Sequence, residues 1–340
     1  MKVNRSDLLT ILSSLRPGVA KKEVPAQAGH FIFTGTAICT FNDQICITHP
    51  YETEEVFSVK AEDFYKMLNG ISAPEVVIEP KKGKIIVTAP GVKAQLNIGI
   101  SDSEKVEQYI TDLQESMIDW YPVPEDFLAG MNLVAFSAAK SVAMGALACI
   151  YTKGNRMYTG DNWRMSRYTM KAGINHDLLI LAKDALELIK FPITDYCLAD
   201  NWIHFLTSDG ATFSCRRVME THKVSDTFFA VPKDAVEDEF PKGMKEVIES
   251  MSFINADIID IERYVTVAFS GDNIVCKVEG NSGWIEKTLE HKSENPFKFD
   301  ANPNFLKDVL GLTNKVHITE GKAYFSAENF DHAMCLIVEV

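Results

Sequence analysis

No stretch of the sequence is apolar for long enough to span a bilayer, and the first residues, MKVNRSDLLTILSSLRPG, lack the apolar core and small-residue cleavage site of a signal peptide. These absences argue against a helical membrane protein or membrane partner and make a cytoplasmic location the expectation. Cys39, Cys46, Cys149, Cys197, Cys215, Cys276 and Cys335 form no closely paired motif. No disulfide framework is therefore expected, and the cysteines read as small buried hydrophobes. The eight histidines are equally scattered, so no local metal centre and no cofactor are expected; only a site assembled from distant residues stays open. A Gly-rich phosphate loop, a GxSxG elbow and an HExxH helix are all missing. Positive charge is short as well: 34 Lys and Arg against 47 Asp and Glu leave a formal net charge of −13. Taken as a uniform charge, that argues against binding nucleic acid, because phosphates need cations.

What remains is the composition of a folded soluble protein, 46% hydrophobic and 24% charged over 340 residues. That length exceeds one ordinary hydrophobic core and implies two or three domains. The acidic pairs Glu125 with Asp126 and Asp184 with Glu187 have turn or helix spacing and read as charged helix faces. Cys215, beside Arg216 and Arg217, falls in an alternating segment and reads as a buried strand residue. No catalytic residue is expected. The competing reading, a hydrolase built from dispersed Asp, His and Cys, requires these groups to converge in one cleft.

A repeat organises the chain. Three segments share one layout of strand, polar entry, amphipathic helix and strand pair: VFSVKAEDFYKMLNGISAPEVVIEPKKGKIIVTAP, LLILAKDALELIKFPITDYCLADNWIHFLTSDGATFSC and PFKFDANPNFLKDVLGLTNKVHITEGKAYFSAENFDHAMCLIVEV. Aligning Phe64 with Ala185 and Phe305 gives spacings of 121 and 120 residues. A second helix precedes each, entered through polar turns at Asp7, Asp126 and Asp234, with Pro124 and Pro232 suited to helix entry. Period-two segments around Lys81 to Gly83, Asp209 with Gly210, and Gly271 with Asp272 predict antiparallel hairpins. The expected fold is α+β, in three repeated domains over residues 1–118, 119–229 and 230–340, each with two helices and antiparallel sheets. SDSEKVEQYITDLQESMIDW is expected to be an exposed connector that docks through Ile110, Leu113 and Ile118.

Across all three domains the chain resembles the bacterial DNA polymerase III beta subunit, the DNA sliding clamp, or a phage or plasmid relative of it. The resemblance lies in VFSVKAEDFYKMLNG with KIIVTAPGVKAQLNIG, in GNRMYTGDNWRMSRYTM, in FSCRRVMETHKVSDTFFAVPKD and in HAMCLIVEV. It departs at TGDNWRMS, where the family commonly has a shorter turn with Gly-His, and in a shortened N-terminal domain. The resemblance implies a DNA clamp fold and a DNA polymerase processivity factor. Such a factor is a head-to-tail homodimeric ring that encircles double-stranded DNA without sequence preference, is loaded by an ATP-dependent clamp loader, and tethers the replicative DNA polymerase. It is not an enzyme.

The resemblance also implies sites. Candidate DNA-facing residues on or beside the helices are Arg16, Lys21, Lys22, Lys66, Lys140, Lys183, Lys190, Lys242, Lys245 and Lys307. A partner-peptide pocket is expected from Thr159, Arg164, Met165, Pro232, Met334 and Leu336, with Trp163 at its rim. For Met165, Pro232 and Leu336 ordinary core packing is the alternative. Leu96 and Ile98 are expected to meet Phe253 and Ile254 across the dimer interface, or else to face their own core. The acidic total and the altered turn keep a further alternative in play, a clamp-like adaptor or decoy that binds replication proteins without encircling DNA efficiently.

Overall fold

Alternation of apolar and polar residues sets much of the backbone into antiparallel strands, and short amphipathic helices cover them. The computed structural model describes residues 1–21, 28–53, 55–81, 83–99, 103–222, 224–294 and 296–337. Its contacts divide into two compact units, Met1–Leu128 with Lys183–Val218 and Ala129–Ala182 with Met219–Val340.

In the first unit twelve strands form one sheet. Its order is Lys2–Asn4, Glu75–Lys81, Lys84–Ala89, Val92–Gly99, Phe57–Lys60, His30–Phe33, Ala37–Phe41, Ile45–Pro50, Thr212–Arg216, Trp202–Thr207, Ile193–Leu198 and Trp120–Pro122. The pairing of Phe213 with Ile47 and of Ser214 with Cys46 carries the sheet without a break from early to late sequence. Helix Arg5–Leu15 begins at Asn4, whose side chain accepts from Ser6 N at 2.9 Å and Asp7 N at 3.3 Å. Asp7 thus sits in the first turn, and Asn4 is the cap. Leu8, Leu12 and Leu15 form the buried stripe, and the helix packs against Ala61–Asn69, which buries Ala61, Phe64 and Leu68.

In the second unit an eight-stranded sheet runs Leu178–Leu181, Cys149–Lys153, Arg156–Gly160, Arg164–Thr169, Phe330–Cys335, Lys322–Ala327, Lys315–Ile318 and Val236–Glu239. A four-stranded sheet has the order Gly283–Glu290, Asn273–Gly280, Val265–Ser270 and Phe297–Ala301. Gly271, at φ 64°, makes the tight turn between Val265–Ser270 and Asn273–Gly280, a conformation that L side chains resist. Helix Met244–Met251 packs against Pro303–Leu310, whose cap Asn302 accepts from Asn304 N at 2.9 Å and is followed by a proline at the first helical position.

Two expectations need correction. Asp234 does not enter a helix: Val236–Glu239 is a strand paired with Lys315–Ile318, and the helix starts only at Met244 after Gly243. The alternation of Val236, Glu237, Asp238 and Glu239 suits an edge strand better than a helix turn. The supposed first connector contains helix Ser103–Glu115. Ile110 and Leu113 are buried with Phe41, Cys46 and Trp202, but Ile118 is 77% exposed and docks nothing in its own unit. Leu113→Ala should therefore lower stability by about 2–5 kcal/mol, whereas Ile118→Ala should stay within about 0.5 kcal/mol. Urea unfolding followed by tryptophan fluorescence checks both, and an unshifted Leu113→Ala midpoint would contradict the docked helix.

Candidate functional site

The strand Arg164–Thr169 lies between Arg156–Gly160 and the late strand Phe330–Cys335. Arg164 faces Met334, Met165 faces Ala333, Ser166 faces His332, Arg167 faces Asp331 and Tyr168 faces Phe330. Because side chains alternate across a strand, this seam presents two chemically different faces. The turn leading into it is held by Asp161, whose Oδ1 accepts from Trp163 N at 2.8 Å and Arg164 N at 3.0 Å. Gly160 is required there, since a Cβ would stand 2.8 Å from the Arg164 carbonyl oxygen. Cys335 N donates to Trp163 O at 2.7 Å and ties the end of the late strand to the turn.

One face is buried. The Arg164 guanidinium donates to Asp308 Oδ2 at 2.8 Å, Phe136 O at 2.7 Å and Asp161 Oδ2 at 3.3 Å, and lies 4.1 Å from the Phe305 ring centroid. A charge at 4% exposure requires this degree of pairing. Beside it Ser166 Oγ lies 2.8 Å from His332 Nδ1 and 2.6 Å from Ser137 Oγ. Burial, aided by the Arg164 charge, pushes the His332 pKa down to about 3, so the ring is neutral. Thr159 Oγ1 donates to Val134 O at 2.5 Å.

The other face is partly open. Met165 packs with buried Tyr158, Phe229, Tyr324 and Ala333 and with half-buried Tyr151, Val224 and Phe228. Arg167 donates to Asp331 Oδ2 at 2.6 Å and Asp226 Oδ1 at 2.9 Å and lies 4.7 Å from the centroid of Phe229. Arg156 also pairs with Asp226, Tyr158 Oη donates to Asp226 Oδ1 at 2.9 Å, and Lys322 Nζ lies 4.3 Å from the Phe228 centroid. Burial would raise the Asp226 carboxyl, but the Tyr158 hydroxyl and the two guanidiniums outweigh it and hold the pKa below the usual range. The result is an apolar, aromatic-walled surface whose rim sets Arg156, Arg167 and Lys322 against Asp226 and Asp331, a chemistry that suits apolar ligand groups.

The six residues expected to form a pocket are thus distributed unevenly. Thr159, Arg164 and Met334 lie within the buried face, and Met165 lies on the open one. Leu336 is buried with its N–H donating to Gly321 O, and Pro232 is exposed after the turn Asp226–Phe229. Trp163 is 45% exposed at the turn.

Of the basic residues, Arg16 pairs with Glu62 at 3.4 Å, Lys66 with Glu62 at 3.1 Å, Lys140 with Asp260 at 3.3 Å and Lys190 with Glu187 at 2.7 Å. Lys21, Lys183 and Lys242 are exposed without an ion pair among the described residues. Lys245 and Lys307 are half-buried, and Lys245 Nζ lies at the C-terminal end of helix Pro303–Leu310, where it complements the free carbonyls. Lys22 lies outside the described residues.

Leu96 and Ile98 are half-buried on strand Val92–Gly99. That strand pairs with Lys84–Ala89 from Val92 to Asn97, but meets Phe57–Lys60 only at Ile98 and Gly99. One backbone edge of Val92 to Asn97 is therefore unpaired among the described residues. In the second unit Gly283–Glu290 is likewise an outer strand, carrying Trp284 at 65% exposure. Phe253 is 65% exposed, and Ile254 O abuts Gly280, where a Cβ would stand 2.0 Å away.

No family model and no curated protein matches the sequence. Solved structures do. The chain superposes on the beta subunit of DNA polymerase from Streptococcus pyogenes with a TM-score of 0.84, 16% identity and 99% of each chain covered. For the DNA polymerase III subunit beta of Pseudomonas aeruginosa the TM-score is 0.81, with 14% identity and 100% of each chain covered. For the Helicobacter pylori beta clamp it is 0.78, with 13% identity and 100% of each chain covered. The fold is that of the bacterial DNA sliding clamps. Within this clamp fold the seam joins residues far apart in sequence, and its open face includes several residues that the sequence reading did not single out: Tyr158, Arg167, Asp226, Phe229 and Tyr324. Period two carries the missed signal, since it puts Arg167, not Arg164, on the side of Met165.

The acidic pairs are not simply solvated helix faces, since Asp126 and Asp184 are both buried. Asp184 is buried and raised to about 6 by desolvation, Cys215 is a buried strand residue, and no group of three potential metal ligands occurs among the described residues. His204, desolvated and held near 4, and His332 are both neutral in the folded chain. Their folded pKa values lie below the unfolded value near 6.5, so their contribution to stability is complete above that pH and is lost as pH falls toward 4 and then 3. Urea unfolding between pH 7 and pH 4 should show stability falling with acid, with a shallower slope in the variant combining His204→Gln with His332→Gln.

Proposed function

We propose that the chain is a DNA polymerase processivity clamp, in which residues 1–118, 119–229 and 230–340 act as three clamp domains and two chains close head to tail into a ring around duplex DNA. The observation that carries this reading is the match to sliding-clamp structures over essentially the whole of both chains. The task of such a ring is topological. Encircling the template holds a bound polymerase near the primer end and replaces repeated recapture from solution with a high effective concentration. No bond is made or broken by the ring itself.

The proposed closure uses the free edge of Val92 to Asn97 on one chain and the outer strand Gly283–Glu290 of its partner. Leu96, Ile98, Phe253 and Ile254 supply the apolar part. An ATP-dependent loader would open this contact. The helices carrying Lys66, Lys183, Lys245 and Lys307 would line the bore, with Arg16, Lys21, Lys22, Lys140, Lys190 and Lys242 beside them, meeting phosphates rather than base edges, so that sliding needs no sequence preference. Polymerase and other replication partners would place apolar side chains of a short linear segment on the Met165 face of the seam.

The ion pairs of Arg16, Lys66, Lys140 and Lys190 favour a second reading, an adaptor that keeps the partner surface but holds DNA poorly. Exposed pairs of this kind are worth only about 0–1 kcal/mol, so phosphates can displace the carboxylates, and the processivity reading stands as the stronger. Primer extension on circular DNA with the matching loader separates the two. A processivity clamp lengthens the products and stays on closed circles until they are linearised; an adaptor does neither. Met165→Glu should abolish lengthening while leaving retention on circles intact, and Lys66→Glu with Lys183→Glu should reduce retention, more so as salt is raised. Retention unchanged by the lysine substitutions would remove the assigned bore contacts.

A further inference from the structure

A second recessed surface, lined by residues other than those of the Met165 face, lies in the unit Ala129–Ala182 with Met219–Val340. It is a groove of about 450 Å³ between the outer strand of the eight-stranded sheet, Val236–Glu239, and the outer strand of the four-stranded sheet, Phe297–Ala301. Val236, Phe297, Phe299, Ile318 and Ile337 supply its apolar lining, and Ile337 is 42% exposed. We propose that this groove docks an extended peptide segment that carries apolar side chains together with lysine or arginine.

Charge decides the occupant. Asp234, Asp300 and Glu320 border the groove against a single cation, Lys298. Among the described residues none of these three carboxylates makes a salt bridge, and the one side-chain contact they have is the Thr266 hydroxyl donating to Asp300 Oδ1 at 2.5 Å. Elsewhere on this chain carboxylates are commonly held by cations, as Asp226, Asp260, Asp308 and Asp331 are. A groove with an apolar floor and a rim of uncompensated carboxylates attracts a cationic segment and repels an anionic one.

Backbone geometry decides the conformation. Among the described residues Phe297–Ala301 has a full ladder on one side only, with Val265–Ser270. On its other side the one contact is the isolated bridge in which Ile337 N donates to Asp300 O at 2.8 Å. Val236–Glu239 is likewise paired only with Lys315–Ile318. Exposed strand edges beside apolar pockets accept an added strand, with the backbone supplying affinity and alternate side chains supplying specificity. The proposal goes beyond the processivity reading and does not rest on it, because the groove lies within one chain and needs neither ring closure nor DNA.

The test uses the full chain with methyl-labelled isoleucine and two synthetic probes, acetyl-Lys-Val-Lys-Leu-Lys-amide and acetyl-Glu-Val-Glu-Leu-Glu-amide. Titration with the lysine peptide should shift the Ile318 and Ile337 methyl resonances, identified through Ile318→Val and Ile337→Val, while the glutamate peptide leaves them in place. Combining Asp234→Asn with Glu320→Gln, both at exposed side chains, should weaken the lysine peptide about fivefold and leave the remaining isoleucine spectrum unchanged. Equal response to both peptides, shifts confined to other isoleucines, no shift at millimolar peptide, or an affinity unaffected by the double substitution would each overturn the proposal.

Discussion

The second unit depends on one strand pair. Arg164–Thr169 and Phe330–Cys335 come from opposite ends of that unit's sequence, and their ladder is what makes the strands on either side a single sheet of eight. Joining segments so far apart costs chain entropy before any contact is made. The buried face of the pair supplies specific compensation. Arg164 holds Asp308, Asp161 and the Phe136 carbonyl together, while Ser137, Ser166 and His332 satisfy one another behind it. A one-residue slip would carry Arg164 to the open face and bring Met165 against Asp308, so the ion pairing also fixes the register.

That register determines what the open face can be. With Arg164 committed inward, the neighbouring Met165 and Arg167 must point outward, into the aromatic group of Tyr158, Phe229 and Tyr324. Arg167 is then satisfied by Asp226 and Asp331 at the rim, where the residues of turn Asp226–Phe229 also supply two of the rings. The charged rim and the apolar floor thus draw on the same turn and strand. A methionine within that floor can change shape without breaking a hydrogen bond, a property useful on a surface offered to more than one apolar ligand.

Much of this was legible in the sequence because it is periodic. The hairpins follow from alternation interrupted by Gly271 and Asp272 or by Asp209 and Gly210, and the helices from spacings such as Leu8, Leu12 and Leu15. What failed was local and has physical causes. Val236–Glu239 carries three acidic residues, which suit a helix entry in isolation, but pairing with Lys315–Ile318 overrides that preference. Ser103–Glu115 was expected as a connector and is a helix; its docking through Ile110 and Leu113, three apart, was legible, but Ile118 lies past the helix end and is exposed. The candidate pocket was legible as a stretch of sequence but not as a face. Contiguous residues such as Arg164 and Met165 look equivalent along the chain and are opposed in the fold, while Phe229 and Tyr324 reach Met165 only through tertiary packing.

The net charge of −13 is also best understood by position. Carboxylates next to Arg16, Lys66, Lys140 and Lys190 shorten the reach of each cation in water without removing it, since a solvated pair exchanges partners at little cost. Buried Arg164 belongs to a different class: its partners are fixed, and no phosphate can replace them without opening the sheet. Carboxylates with no salt bridge among the described residues, such as Asp234, Asp300 and Glu320, are a third class, open to an incoming cation. An acidic total is therefore compatible with attraction to phosphates on one surface and to cationic peptide on another, because the field a ligand meets is set within roughly a Debye length of about 8 Å and not by the sum over the chain.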